Sequence, residues 1–168
     1  MKGILFSSEI WIAKREVLER YGIAVTRRVD GTKEINQPRY HIGEVVYIKE
    51  GYSHYGDELN CGVWTALIEY KVDGSLSRIP FGEQIPPREK WWNTGKSVRY
   101  YQTPLFMPAW AARFFIKILD VRPELLTLPL SAEELALEGG EITLPLLTSY
   151  NHKWVNRYQF ETRRMNEG

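Results

Sequence analysis

The chain contains 168 residues, 43% hydrophobic and 26% charged, which supports one folded domain with a full core and excludes a disordered chain. The 22 basic and 21 acidic residues give a formal net charge of +1, which excludes proteins that coat nucleic acid through overall positive charge. The single cysteine, Cys61, excludes an intrachain disulfide framework and a cysteine-rich zinc site. The three histidines are scattered along the sequence and form no close ligand pair, so we expect no metal and no cofactor.

The N-terminal segment predicts a short strand followed by an amphipathic helix. Residues 3–7 are an apolar strand candidate. Over Ser8–Tyr21, apolar residues recur at three- and four-residue steps and share one stripe of a helix. We expect Ser8 to cap the start of this helix and Gly22 to end it with a positive φ.

Hydrophobic and β-branched runs predict most of the remaining strands, at residues 44–50, 64–72, 75–79, 113–121 and 154–162. The dipeptide Asp73-Gly74 lies between the second and third of these runs and predicts a hairpin turn. The last run alternates, and we expect it to have one buried and one solvent face. The expected buried residues are Trp154, Tyr158 and Phe160, and the expected solvent-facing residues are Arg157, Gln159 and Glu161.

Residues 131–134 (Ser-Ala-Glu-Glu) have the pattern of a capping box and predict a second short helix, which ends at Gly139-Gly140. Helices do not alternate regularly with strands, so a doubly wound sheet is not expected. The predicted fold class is α+β, a small mixed β-barrel flanked by two or more short helices. No apolar run approaches membrane-spanning length and residues 1–8 do not read as a signal peptide, so we expect a cytoplasmic protein without a membrane partner.

Three sets of residues could carry binding chemistry: Thr26-Arg27-Arg28, residues 90–101, and Arg157 with Arg163 and Arg164 near the C-terminus. In Thr26-Arg27-Arg28, two adjacent guanidinium groups form a compact anion site suited to phosphate, although a solvated strand end has the same pattern. In residues 90–101, cations interleave with aromatic side chains, as in proteins that stack single-stranded bases. A long surface loop with aromatics packed inward explains the second pattern equally well. Neither a Gly-rich phosphate loop nor a nucleophile elbow is present.

Several segments, in order along most of the chain, together resemble the ASCH domain of the PUA-like superfamily, in its phage- and prophage-type branch. The resemblance implies a single domain over residues 1–168, with a five- or six-stranded barrel and a variable insertion at about 51–103, where the match is poor. The segments that carry it are Gly3-Ile-Leu-Phe-Ser7, Thr26-Arg27-Arg28, residues 40–50, Phe106-Met-Pro-Ala-Trp-Ala-Ala-Arg113, Asp120-Val-Arg122, residues 131–139 and Trp154-Val155.

Relatives in this superfamily bind RNA or modified bases in a cleft between barrel and helices. One branch hydrolyses the acetyl amide of N4-acetylcytidine with a Lys, a Thr three residues later and a Glu on the second helix. The matching positions here are Ile23, Thr26 and Glu138. An aliphatic side chain at position 23 cannot take a proton from the Thr hydroxyl, which leaves Lys14 or Lys33 as a spatial replacement.

Three hypotheses follow. The first is a binding module for RNA or a modified nucleoside, with single-stranded DNA as a further ligand: Arg27 and Arg28 meet phosphate, Glu50 or Glu138 accepts from an exocyclic amine, and Trp110 stacks. The second is an enzyme, an amidohydrolase or ribonuclease, with Thr26 and Glu138 as catalytic residues. The third is a phage-encoded protein-interaction factor that uses the aromatic loop at residues 91–101. The predicted nucleic-acid-binding residues are Arg27, Arg28, Glu50, Trp92, Trp110 and Arg113.

Overall fold

The computed structural model describes residues 1–31, 37–58, 64–80 and 100–163. Within these ranges the chain forms nine strands, three α-helices and three short 3₁₀ turns. The strands are β1 (Gly3–Leu5), β2 (Ala24–Arg28), β3 (Val45–Lys49), β4 (Tyr52–Glu58), β5 (Trp64–Tyr70), β6 (Leu76–Pro80), β7 (Tyr100–Gln102), β8 (Phe115–Leu125) and β9 (Trp154–Arg163). The α-helices are α1 (Ser8–Tyr21), α2 (Ala132–Glu138) and α3 (Leu144–Ser149), and the 3₁₀ turns are Pro104–Phe106, Ala109–Ala111 and Glu141–Thr143.

The chain divides into two compact units. The first unit contains Met1–Lys2, Phe6–Tyr47 and Phe114–Gly168, and the second contains Gly3–Leu5 and Ile48–Arg113. The described parts of the insertion expected at about 51–103 fall within the second unit. The expectation of a single domain over residues 1–168 stays a prediction.

A five-stranded sheet has the order β1-β3-β8-β9-β2, and three of its strands, β2, β8 and β9, lie wholly in the first unit. Its longest pair is β8 with β9, which runs antiparallel from Phe115 opposite Arg163 to Leu125 opposite Trp154. Strand β2 pairs with β9 on one side only, so its other edge faces helices α1 and α2, which both contact it. This arrangement covers an edge that would otherwise expose unpaired backbone groups.

The second unit contains a four-stranded sheet with the order β6-β5-β4-β7. Strands β5 and β6 form the hairpin predicted from Asp73-Gly74, and Gly74 adopts a positive φ of 69° that favours glycine. Tyr52, Ile68, Tyr70, Met107 and Ala111 form a buried cluster against which Trp110 and Ala112 pack.

The α+β class is confirmed. The structure has two sheets, whereas the sequence predicted one barrel, and neither sheet closes on itself within the described ranges. Helix α3 is not among the elements that the sequence pattern predicts individually.

Local helix signals were largely correct. Gly22 ends α1 with a φ of 78°, as expected, but the residue that caps its start is Ser7, whose Oγ accepts from the backbone N–H of Ile10 at 3.4 Å, and not Ser8. The N-cap half of the predicted capping box is present at α2, where Oγ of Ser131 accepts from the N–H of Glu134 at 3.2 Å. The carboxylate of Glu134 accepts from Arg157.

The predicted alternation of β9 holds for Tyr158 and Phe160, which are both buried, but fails at two positions. Trp154 is 56% exposed and Arg157 is buried. Arg157 is retained inside because its Nη2 donates to Oε1 of Glu134 at 3.0 Å, so the buried charge has a partner.

Among the described helices, none has both the length and the apolar character needed to cross a bilayer.

Candidate active site

Helix α1 places the amine of Lys14 at the edge of β2 that pairs with no other strand in the described sheet. The side chain is 1% exposed, and its Nζ donates to the carbonyl oxygen of Val25 at 2.6 Å. The same atom donates to the backbone oxygen of Glu138 at 2.8 Å and to Oε2 of Glu138 at 3.3 Å. One amine therefore joins α1, β2 and the last residue of α2.

The carboxylate of Glu138 lies between two cations. Its Oε2 faces Lys14, and its Oε1 accepts from Nη1 of Arg27 at 2.9 Å. The side chain of Glu138 is only 3% exposed, so this charge is stabilised by protein groups.

Arg27 extends this arrangement into a network. Its Nε donates to Oε2 of Glu124 at 2.6 Å, and its Nη2 lies 3.3 Å from Oε2 of Glu134. Glu134 in turn accepts from Arg157. Three cations thus balance three carboxylates. We call these residues the charge cluster: Lys14, Arg27, Glu124, Glu134, Glu138 and Arg157.

Strand alternation separates the predicted site residues into two groups. Thr26 and Arg28 share one face of β2, and Arg27 lies on the opposite face with the charge cluster. The guanidinium carbon of Arg28 lies 4.7 Å from the centroid of Phe6, and Nζ of Lys14 lies 5.5 Å from the same centroid. Lys14 is therefore the member of the charge cluster that also reaches the side of β2 where Thr26 and Arg28 lie.

Burial controls the protonation of Lys14. Desolvation lowers the pKa of its ammonium below the ordinary value, the carboxylate of Glu138 raises it, and the nearby charges of Arg28 and Arg27 lower it further. The ammonium has three N–H donors, and they match three oxygen acceptors: the carbonyls of Val25 and Glu138 and Oε2 of Glu138. Because its pKa is lowered, this ammonium gives up a proton more readily than that of an exposed lysine.

The structure places the other predicted site residues as follows. Glu50 and Arg113 form a two-bond ion pair in the second unit, with Nη2 to Oε1 at 2.8 Å and Nε to Oε2 at 2.9 Å. Trp110 is half-buried against the core of the same unit. Trp92 and Lys33 lie outside the described residues. Thr26 is buried, and its backbone lies opposite Tyr158 of β9.

Arg27 was expected to meet phosphate, but its described contacts are with carboxylates, and it is buried. Sequence reasoning named Lys14 only as one of two replacements for the missing lysine, and it assigned neither Glu124 nor Glu134 to a site. These residues come from different elements, and no local pattern signals their contacts. Residue Ile23, at the position of the family lysine, is half-buried immediately before β2.

In the part of the chain that the structure describes, no group of three or more His, Cys, Asp or Glu side chains is arranged to hold a metal ion. Comparison with known proteins found no matching family model, no matching curated protein and no matching solved structure. The geometry of the charge cluster and of the neighbouring face of β2 therefore carries the functional argument.

Proposed function

We propose that the protein recognises a nucleobase, in RNA or as a modified nucleoside, and hydrolyses an acyl amide on its exocyclic amine, with N4-acetylcytidine as the reference substrate. One observation supports this most directly: Nζ of Lys14 binds both Oε2 of Glu138 and the carbonyl of Val25. That carbonyl belongs to the peptide bond that precedes Thr26. The amine of Lys14 therefore binds the peptide unit next to Thr26, whereas position 23 provides only an aliphatic side chain.

The proposed reaction uses Lys14 as the proton carrier. Neutral Lys14 removes the proton of the Thr26 hydroxyl while Oγ1 attacks the amide carbon. The resulting ammonium then protonates the departing base nitrogen, the C–N bond breaks, and an acyl ester remains on Thr26. Water attacks this ester, Lys14 takes the water proton, and the acid departs as the proton returns to Thr26. Glu138 stabilises the ammonium between these steps.

The resemblance implies a PUA-like barrel of five or six strands, and our proposal includes the closure of the five-stranded sheet into such a barrel. Arg28, on the same face of β2 as Thr26, is in position to hold a carbonyl or phosphate of the ligand. Its guanidinium lies over Phe6 at 4.7 Å, which orients the planar group.

The test is to incubate the purified chain with N4-acetylcytidine and to separate cytidine and acetate chromatographically. We expect turnover by the unmodified chain and a loss of roughly 10²-fold or more in Lys14→Met, Glu138→Gln and Thr26→Val. Arg20→Met, an exposed change on the same helix as Lys14, is the control and should retain full activity. Absence of hydrolysis by the folded chain would refute the enzymatic proposal.

Nucleic-acid binding without turnover is the second candidate, favoured by the half-buried Arg28 over Phe6 on the face of β2 that carries Thr26. A net charge of +1 predicts few phosphate contacts and a shallow salt dependence. Fluorescence polarisation with labelled RNA and single-stranded DNA at low salt tests it. Arg28→Met should lose binding and Arg122→Met, at an exposed arginine, should keep it. Equal signals from the two variants would contradict the assignment.

A further inference from the structure

We propose that Arg27 is a positioning residue that, anchored by Glu124 and Glu134, fixes the carboxylate of Glu138 against Lys14. This inference rests on the proposed hydrolase function, and it assigns to Arg27 a role different from the phosphate contact that the sequence suggested. It concerns how the proton-carrying pair is held, which the resemblance does not address.

The guanidinium of Arg27 uses separate nitrogens for separate carboxylates. Nη1 binds Oε1 of Glu138 at 2.9 Å, Nε binds Oε2 of Glu124 at 2.6 Å, and Nη2 lies 3.3 Å from Oε2 of Glu134. Because the guanidinium is planar and rigid, two anchored edges fix the direction of the third. Glu138 is thereby prevented from rotating its carboxylate away from Lys14.

The anchors and the anchored residue differ in their access to water. The side chains of Glu124 and Glu134 are 35% and 30% exposed, whereas Glu138 is 3% exposed. Glu124 and Glu134 hold Arg27 from the solvent side, and Arg27 reaches inward to Glu138. A neutral substitution at Glu124 or Glu134 therefore perturbs Arg27 without removing any group that bonds Lys14.

The charged groups that act on Lys14 are Glu138 from α2 and Arg27 and Arg28 from β2. Neutralising Glu124 removes part of the negative charge that compensates Arg27. More positive potential then reaches Lys14, so its proton should leave at lower pH. Replacing Arg27 by Lys keeps the positive charge but removes the guanidinium nitrogens that bind separate carboxylates. The replacement should therefore displace the Glu138 carboxylate more than it changes the electrostatic potential at Lys14.

The experiment uses the full chain in three variants: Glu124→Gln, Arg27→Lys and the control Glu133→Gln, which neutralises an exposed carboxylate on α2. The Lys14 side chain is followed by NMR titration of isotopically labelled lysine, with Lys14→Met used to assign its signal. Hydrolysis of N4-acetylcytidine is measured as kcat and KM across pH. The titration needs no activity, so it tests the coupling of Glu124 to Lys14 through Arg27 even if the chain hydrolyses nothing.

We expect Glu124→Gln to shift the Lys14 titration and the acidic limb of the kcat profile to lower pH together. Arg27→Lys should lower kcat by roughly tenfold to 10²-fold with little change in KM, since a small misplacement of a reacting group is enough for such a loss. Glu133→Gln should match the unmodified chain. The proposal is overturned if Glu124→Gln leaves the Lys14 titration unchanged, or if Arg27→Lys folds and retains full kcat. Should Arg27→Lys fail to fold, the Glu124→Gln titration decides alone.

Discussion

Gly139 lies directly against Ala13. A Cβ on Gly139 would be 3.2 Å from Cβ of Ala13 and 3.3 Å from Cγ2 of Thr143, and the glycine has a φ of 126° that disfavours other residues. Ala13 precedes Lys14 and Gly139 follows Glu138. The close approach of two small residues therefore brings helices α1 and α2 near enough for the buried pair to form.

The first prediction is that Gly139→Ala destabilises the chain by about 1–3 kcal/mol through backbone strain and a tight contact with Ala13. It should also lengthen the Lys14–Glu138 contact and lower hydrolysis. Urea unfolding measures the stability change. Gly140→Ala is the matched control, because Gly140 has a φ of 85° but open space at the Cβ position. If both variants lose the same stability, strain alone explains the loss and the helix contact does not contribute.

The second prediction concerns alkaline stability. Folded Lys14 has a lowered pKa, so between that value and the ordinary 10.5 the unfolded chain binds more protons at this residue than the folded chain. The free energy of unfolding should therefore rise with pH across this window. Lys14→Met lacks this contribution, and urea unfolding from neutral pH to pH 10 compares the two proteins. Parallel profiles would show that Lys14 stays charged in the folded chain.

The third prediction concerns acid stability at His54 in β4. Burial lowers the pKa of its imidazole to about 4 from the ordinary 6.5. As pH falls from 6.5 to 4, His54 takes up a proton in the unfolded state before it does so in the folded state. The free energy of unfolding therefore decreases across this interval and levels off below it. The shift corresponds to about 3 kcal/mol. His54→Phe should flatten this part of the pH profile of unfolding; an unchanged profile would assign the acid sensitivity to other groups.

The fourth prediction concerns the turn between β5 and β6. Burial alone would raise the pKa of the Asp73 carboxyl, but hydrogen bonds from Arg113 and Ser75 outweigh it and hold the pKa at about 2. Asp73 is 35% exposed, so solvent screens the ion pair, and Asp73→Asn should cost only about 1 kcal/mol. Thermal unfolding measures this. Asp120→Asn, which removes the exposed partner of Arg122, should cost less.

The fourth prediction also has a pH signature. Because the pKa of Asp73 is lowered in the folded chain, its contribution is complete above the ordinary value of 3.8 and is lost as pH falls through about 2. Asp73→Asn should therefore be less stable than the unmodified chain at neutral pH and equal to it near pH 2. A difference that persists at that pH would show that the turn is stabilised by something other than the ionised carboxylate.

The sequence alone determined the features that depend on a few neighbouring residues. Gly22 ends α1, Asp73-Gly74 turns the β5–β6 hairpin and Ser131 caps α2, all as expected. These signals are readable because capping and turn geometry are satisfied within three or four residues of the chain.

Only the tertiary structure decided the candidate site. Lys14 and Glu138 are 124 positions apart and Arg27 and Glu124 are 97 apart, and each could have remained on a solvated face. Strand alternation predicts that Arg157 faces solvent, and its ion pair with Glu134 from α2 is what keeps it buried. Charged residues carry no sequence mark of their partners, because the free energy that buries them comes from the partner and from the surrounding fold.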